Sequence, residues 1–120
     1  MSRDHRKLEV FHQADQLVIE VYAETSTFPP EERFGLCVQV RRSALSVAAN
    51  IVEGCSRRST RDYLRFIEVA IGSASETVYL LETAVRLGFM PRDAFNRIEP
   101  GYRHLLRRLQ KLMNSLESLP

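Results

Sequence analysis

The sequence predicts an all-α protein folded as one antiparallel up-down-up-down four-helix bundle. Three observations predict it. Four segments carry apolar residues at spacings of three and four, the period of a helix with one buried stripe. No segment alternates as a strand would, and no solenoid-type repeat is present. The breaks between segments are a few residues long and marked by Gly or Pro, which makes successive helices antiparallel neighbours. The chain has 120 residues, one domain's worth (1–120), with helices expected at about 9–26, 30–54, 60–88 and 91–117.

The first helix carries Val10, Phe11, Ala14, Leu17, Val18, Val21 and Tyr22 as its stripe and ends at Phe28-Pro29-Pro30, because proline cannot continue the hydrogen-bond ladder. The second is expected to start near Pro30, a residue suited to a first helical position. Glu31 and Glu32 would then lie in its first turn, and Gly54 would end it in the left-handed conformation. The third opens at Ser59 with Asp62 three residues on, close to a capping box, and closes at Gly88 and Pro91. The fourth has a near a/d stripe from Phe95 to Leu116, with a break or kink expected near Pro100.

Width of the apolar arcs separates the helices. At 100° per residue the first and fourth stripes cover about 120–140°, while the second and third reach about 200°. Leu36, Val40 and Val47 widen the second; Leu64, Phe66, Ile71 and Leu80 widen the third. Cover by loops or termini would account for this surplus. Self-association is the preferred explanation, with Leu36, Val40, Val47, Phe66 and Leu80 as its candidate interface. The small-residue run Ala70, Gly72, Ser73, Ala74, Ser75 fits close helix packing, within the bundle or between subunits.

Composition excludes several classes. No apolar run approaches the roughly 20 residues of a membrane span, so no membrane partner is expected. The charged start Met1–Lys7 is not followed by an uninterrupted apolar stretch, which argues against a secretory leader. Cys37 and Cys55 fall on one helix about 27 Å apart, too far for a disulfide or a shared metal. Reduced packing cysteines fit a cytoplasmic protein. His5, His12 and His104 complete no di-iron motif, and no phosphate loop or zinc cluster is present. No cofactor, metal or enzymatic activity is expected.

The ordered motifs carry a resemblance. Phe28-Pro29-Pro30-Glu31-Glu32-Arg33-Phe34-Gly35-Leu36 precedes Gln39-Val40-Arg41-Arg42-Ser43-Ala44 and Ser46-Val47-Ala48-Ala49-Asn50-Ile51-Val52-Glu53-Gly54. Tyr63-Leu64-Arg65-Phe66 and Ala70-Ile71-Gly72-Ser73-Ala74-Ser75-Glu76 follow. Over roughly residues 8 to 117 the chain resembles the four-helix-bundle proteins encoded in intervening sequences of bacterial 23S ribosomal RNA genes. That resemblance implies a homopentamer. It also implies relatives among the accessory proteins of diversity-generating retroelements, which bind nucleic acid and a reverse transcriptase through a basic surface.

Net charge is only +2, so distribution matters more than balance. Residues 1–40 and 66–90 are net acidic, 41–65 and 91–120 net basic. In the expected topology one pole collects Arg3, Arg6, Lys7, Arg57, Arg58, Arg61, Arg65, Arg107, Arg108 and Lys111. Arg57, Arg58 and Arg61 flank a helix start that already favours anions; the bland alternative is a solvated loop paired to Asp62 or Glu53. The fourth helix offers a second patch in Arg97, Arg103, His104, Arg107, Arg108 and Lys111, which could equally be a solvated face. Together these make RNA or DNA the candidate partner, the alternative being an assembly or adaptor module that binds no nucleic acid. Arg41 falls inside the apolar arc of the second helix and needs partners. Glu53, Glu68 and Glu76 are its candidates, with Asn50, Ser43 and Ser46 completing a polar network.

Overall fold

The computed structural model describes residues 3–118, in which four helices and no strand are found. They are α1 (Glu9–Thr25), α2 (Leu36–Cys55), α3 (Thr60–Arg86) and α4 (Arg92–Glu117), with short 3-10 turns at His5–Lys7 and Pro30–Glu32. Each helix packs on two neighbours in the cycle α1, α2, α3, α4, and the diagonal pairs do not approach. Cross-helix contacts make neighbours antiparallel. Ser43 and Ser46 of α2 meet Thr77 and Ser73 of α3. Glu9 and Glu24 of α1 meet Arg108 and Arg97 of α4. The body measures 49 × 23 × 19 Å, as expected for a long α3 of 27 residues at 1.5 Å each.

The core runs the length of the bundle, from Ala14, Leu17 and Val21 through Val40, Val47, Ile51, Ile67 and Leu81 to Ile98, Leu105 and Leu109. Phe28 and Phe89, from the α1–α2 and α3–α4 loops, lie with ring centroids 6.0 Å apart and close one end. Both cysteines are free and buried. No described helix is long and apolar enough to cross a membrane.

Local chemistry explains the helix limits, and three differ from expectation. α2 begins at Leu36, because Pro30–Glu32 forms a separate 3-10 turn set off from it by Gly35. Glu32 Oε1 accepts the Leu36 N–H at 3.1 Å, so this carboxylate caps α2 from outside. Gly54 is no terminator: it lies inside α2, and the one described glycine with positive φ is Gly88, at 80°, just past α3. What Gly54 provides is room. A Cβ there would sit 3.0 Å from Phe66 Cβ and 3.3 Å from Tyr63 Cδ1. α4 runs unbroken through Pro100. Proline forfeits one bond to the carbonyl a turn earlier, yet the packed stripe on both sides holds the helix continuous. Ser59 caps α3 as anticipated, its Oγ accepting the Asp62 N–H at 3.1 Å.

The small-residue run of α3 divides by face. Ala70 and Ala74 are fully buried, whereas a Cβ on Gly72 would meet nothing within 4 Å. Gly54→Ala should therefore destabilise by about 1 kcal/mol, overpacking outweighing helix propensity. Gly72→Ala should stabilise the subunit by about the same amount. Urea melts of the two variants check the opposite signs.

Candidate nucleic-acid interface

The four-helix topology does place the α2–α3 corner and the last turns of α4 at one end of the bundle. The basic residues predicted there separate into three groups with different surroundings.

Arg57 is half-buried and structural. Its guanidinium pairs with Glu53 and lies 4.6 Å over the Phe66 ring, so it pins the α2–α3 corner. Arg65 pairs with Asp62 one turn away at 3.3 Å. Arg108 turns toward α1, bonding Glu9 Oε2 at 2.8 Å and Gln13 Oε1 at 3.3 Å. Arg97 does likewise with Glu24 at 3.3 Å. The last two are clamps between α1 and α4, and their charge is locally balanced. Arg58 and Arg61 are exposed beside the start of α3.

Arg103, Arg107 and Lys111 follow one another at intervals of four residues, so they share one face of α4. All three are exposed, as is His104 beside them. Arg103 pairs with Glu99 at 3.5 Å. Arg107 and Lys111 make no ion pair with any described residue, and neither does Arg61. This face is turned away from the core stripe of Ile98, Tyr102, Leu105 and Leu109, with Asn96, Gln110 and Asn114 as its other members. Arg107 lies ten residues, about 15 Å of helix, before the end of α4. The basic surface is thus a track along α4 leading toward Arg61.

The N-terminal segment joins the same end. The Arg3 N–H donates to Cys55 O at 2.7 Å, covering a C-terminal carbonyl of α2, and its guanidinium lies 4.1 Å over the Tyr63 ring. Arg6 is held by Asp4 at 3.0 Å, and that pairing lowers the Asp4 pKa. Burial pushes the Cys55 thiol and the Tyr63 phenol up, with Arg3 opposing weakly in both. Both groups stay neutral near pH 7, so neither is an activated nucleophile. Among the described residues no three His, Cys, Asp or Glu side chains converge as a metal site would require.

The predicted polar network resolves into separate pieces. Arg41 reaches none of Glu53, Glu68, Glu76 or Asn50. Its Nε donates to Thr25 Oγ1 at 2.8 Å, its Nη2 to Tyr22 O at 3.2 Å, and it lies 4.4 Å over the Tyr22 ring. It therefore serves the carbonyl end of α1, where the helix dipole favours a cation. Asn50 bonds Ser46, which meets Ser73 at 2.8 Å. Ser43 bonds Thr77 at 2.8 Å. Glu76 is exposed in an open polar groove with Gln39 and Arg42. Arg41→Ala should cost about 1–3 kcal/mol in a urea melt, as the end of α1 loses its donors. Arg41→Met should cost less by keeping the apolar stem over Tyr22, and Arg41→Glu most. Equal midpoints in all three would show a solvated side chain.

Three of the five predicted interface residues, Val40, Val47 and Leu80, need correction. Val40 and Val47 are 0% exposed and Leu80 is 7% exposed within the subunit. Leu36 and Phe66 are half-buried against the same core or corner. Each helix touches two neighbours, so a wide arc is consumed inside the bundle. Surface apolar groups lie elsewhere: Ile19 is 61% exposed and Leu45 44%. Leu45 shares the outer face of α2 with Val38, Ala49 and Val52, at helical spacings of seven, four and three. Ile19 precedes Tyr22 by three residues and Leu45 follows Arg41 by four, so the Arg41–Tyr22 contact sets them side by side in this antiparallel pair. Sequence reasoning missed this stripe; the signal was its offset from the centre of the buried arc.

Fold and surface together define a class: a small four-helix domain with a charged outer track. The chain belongs to the 23S rRNA-intervening sequence protein family, whose model matches residues 6–111. It is similar in structure to a protein with unknown function from the S23 ribosomal protein family of Bacteroides thetaiotaomicron. The TM-score is 0.78 at 22% identity, covering 87% of this chain and 97% of that one. At that identity the likeness concerns the fold. No curated protein matches the chain.

Proposed function

We propose that the protein is a non-enzymatic, cytoplasmic homo-oligomer that binds RNA or DNA through phosphates. One observation carries the reading. Arg107 and Lys111, with Arg103 beside them, stand on an outward face of α4 without acidic partners of their own, apart from the Arg103–Glu99 pair. Charges placed for stability are paired, as Arg97 and Arg108 are. Charges left unpaired on one face supply the electrostatic footprint of a phosphate-binding surface. Arg61 extends it, while Arg57 and Arg108 are engaged in holding the helices together.

Self-association is the second part of the proposal. The stripe of Val38, Leu45, Ala49 and Val52 with Ile19 suits burial against another copy, and the family resemblance suggests five subunits. Repetition of a weak phosphate surface around such a ring would raise avidity without new contacts. The test is fluorescence anisotropy with unrelated RNA and DNA oligonucleotides. Similar affinities across sequences are expected, since phosphate contacts position without specifying. Absence of binding near 50 mM salt, where such contacts are strong, would leave an assembly or adaptor module in its place.

A further inference from the structure

At the other end of the bundle from the Arg57 corner, a cleft of about 370 Å³ opens between the end of α1, the α1–α2 loop and α2. Thr25, Phe28, Pro29, Pro30, Arg33 and Arg41 line it, and no acidic residue does. Its size falls within the range of small-molecule sites.

We propose that this cleft binds a small organic oxyanion, a carboxylate or a phosphate ester. Its charge would rest on Arg41 and Arg33 and its apolar body on Phe28, Pro29 and Pro30. Arg41 is already fixed by the Thr25 and Tyr22 hydrogen bonds and by the Tyr22 ring. A guanidinium has five N–H groups, and these two bonds use two. The remaining donors form a preorganised fork, so little ordering entropy is left to lose on binding. No described carboxylate neutralises Arg41. Glu32, the nearest acid in sequence to Arg33, is engaged with the Leu36 N–H instead. Arg33 is exposed, its guanidinium 5.4 Å over the Phe34 ring, and can swing to the same anion. A half-buried cation without a countercharge, beside a second cation and an apolar floor, is an arrangement that an amphipathic anion completes.

The experiment titrates the full chain, with 15N-labelled arginine, with inorganic phosphate, phenyl phosphate and benzoate while following the Arg Nε–H signals. Saturable shifts at Arg41 are expected, with phenyl phosphate tighter than inorganic phosphate by about fivefold or more from the apolar floor. The better of phenyl phosphate and benzoate identifies the natural head group. Arg33→Gln, at an exposed position, should weaken binding about tenfold through loss of one charge-assisted contact. Arg41→Lys should abolish it while helicity is retained. If Arg41→Lys fails to fold, Arg33→Gln decides alone. Shifts that do not saturate by about 20 mM ligand, weaker than any useful affinity, would overturn the proposal. So would equal affinity for the inorganic and phenyl esters, or affinity unchanged in Arg33→Gln.

Discussion

Val47→Asp is expected to unfold the protein. Val47 is 0% exposed at the centre of the α2 stripe. Losing its burial costs about 1.5–3 kcal/mol, and an unpaired carboxylate in the same space costs several more. The sum rivals the 5–15 kcal/mol that holds a domain together. Circular dichroism should show loss of helicity, and Val40→Asp should behave alike. Leu45→Asp gives the contrasting result. That side chain is 44% exposed on the outer face of α2, so helicity should persist. If the stripe of Leu45 and Ile19 joins copies, light scattering should show the mass fall from the oligomer toward the 13.8 kDa subunit. A wild type already at 13.8 kDa would remove self-association from the account.

These two substitutions mark the limit of what was legible in the sequence. Periodicity identified four helices, and Ser59 and Gly88 located their caps and stops. Which apolar residues face outward could not be read from arc width. In a cyclic bundle each helix has two partners, and Val40, Val47 and Leu80 are spent on them. Arg41 was recognisable as a cation needing partners. Those partners are a backbone carbonyl and a hydroxyl at the end of α1, visible only once helix ends are juxtaposed. Arg57 and Arg108 looked like members of one patch, yet a ring on α3 and a carboxylate on α1 claim them. Glycine was ambiguous for a similar reason. Gly54 and Gly88 look alike in sequence, but one permits a close approach to α3 and the other a left-handed turn.

Charge reversal on α4 has the largest expected functional effect. Arg107→Glu with Lys111→Glu changes the outer face by four charge units while touching no described ion pair. Helicity and the mass in solution should be unchanged. Each lost phosphate contact should also remove about 0.7–0.9 from the slope of log affinity against log salt. By contrast, Arg57→Glu would confuse the result, because Arg57 packs on Phe66 and would disturb the fold.

The most direct test is therefore a salt titration of oligonucleotide binding, from about 50 to 200 mM, on wild type and the Arg107→Glu/Lys111→Glu variant. Wild type should show a linear, negative log–log slope, and the variant much weaker binding with a slope shallower by about 1.4–1.8, two contacts' worth. Binding that is insensitive to salt, or equal in the two proteins, would contradict it.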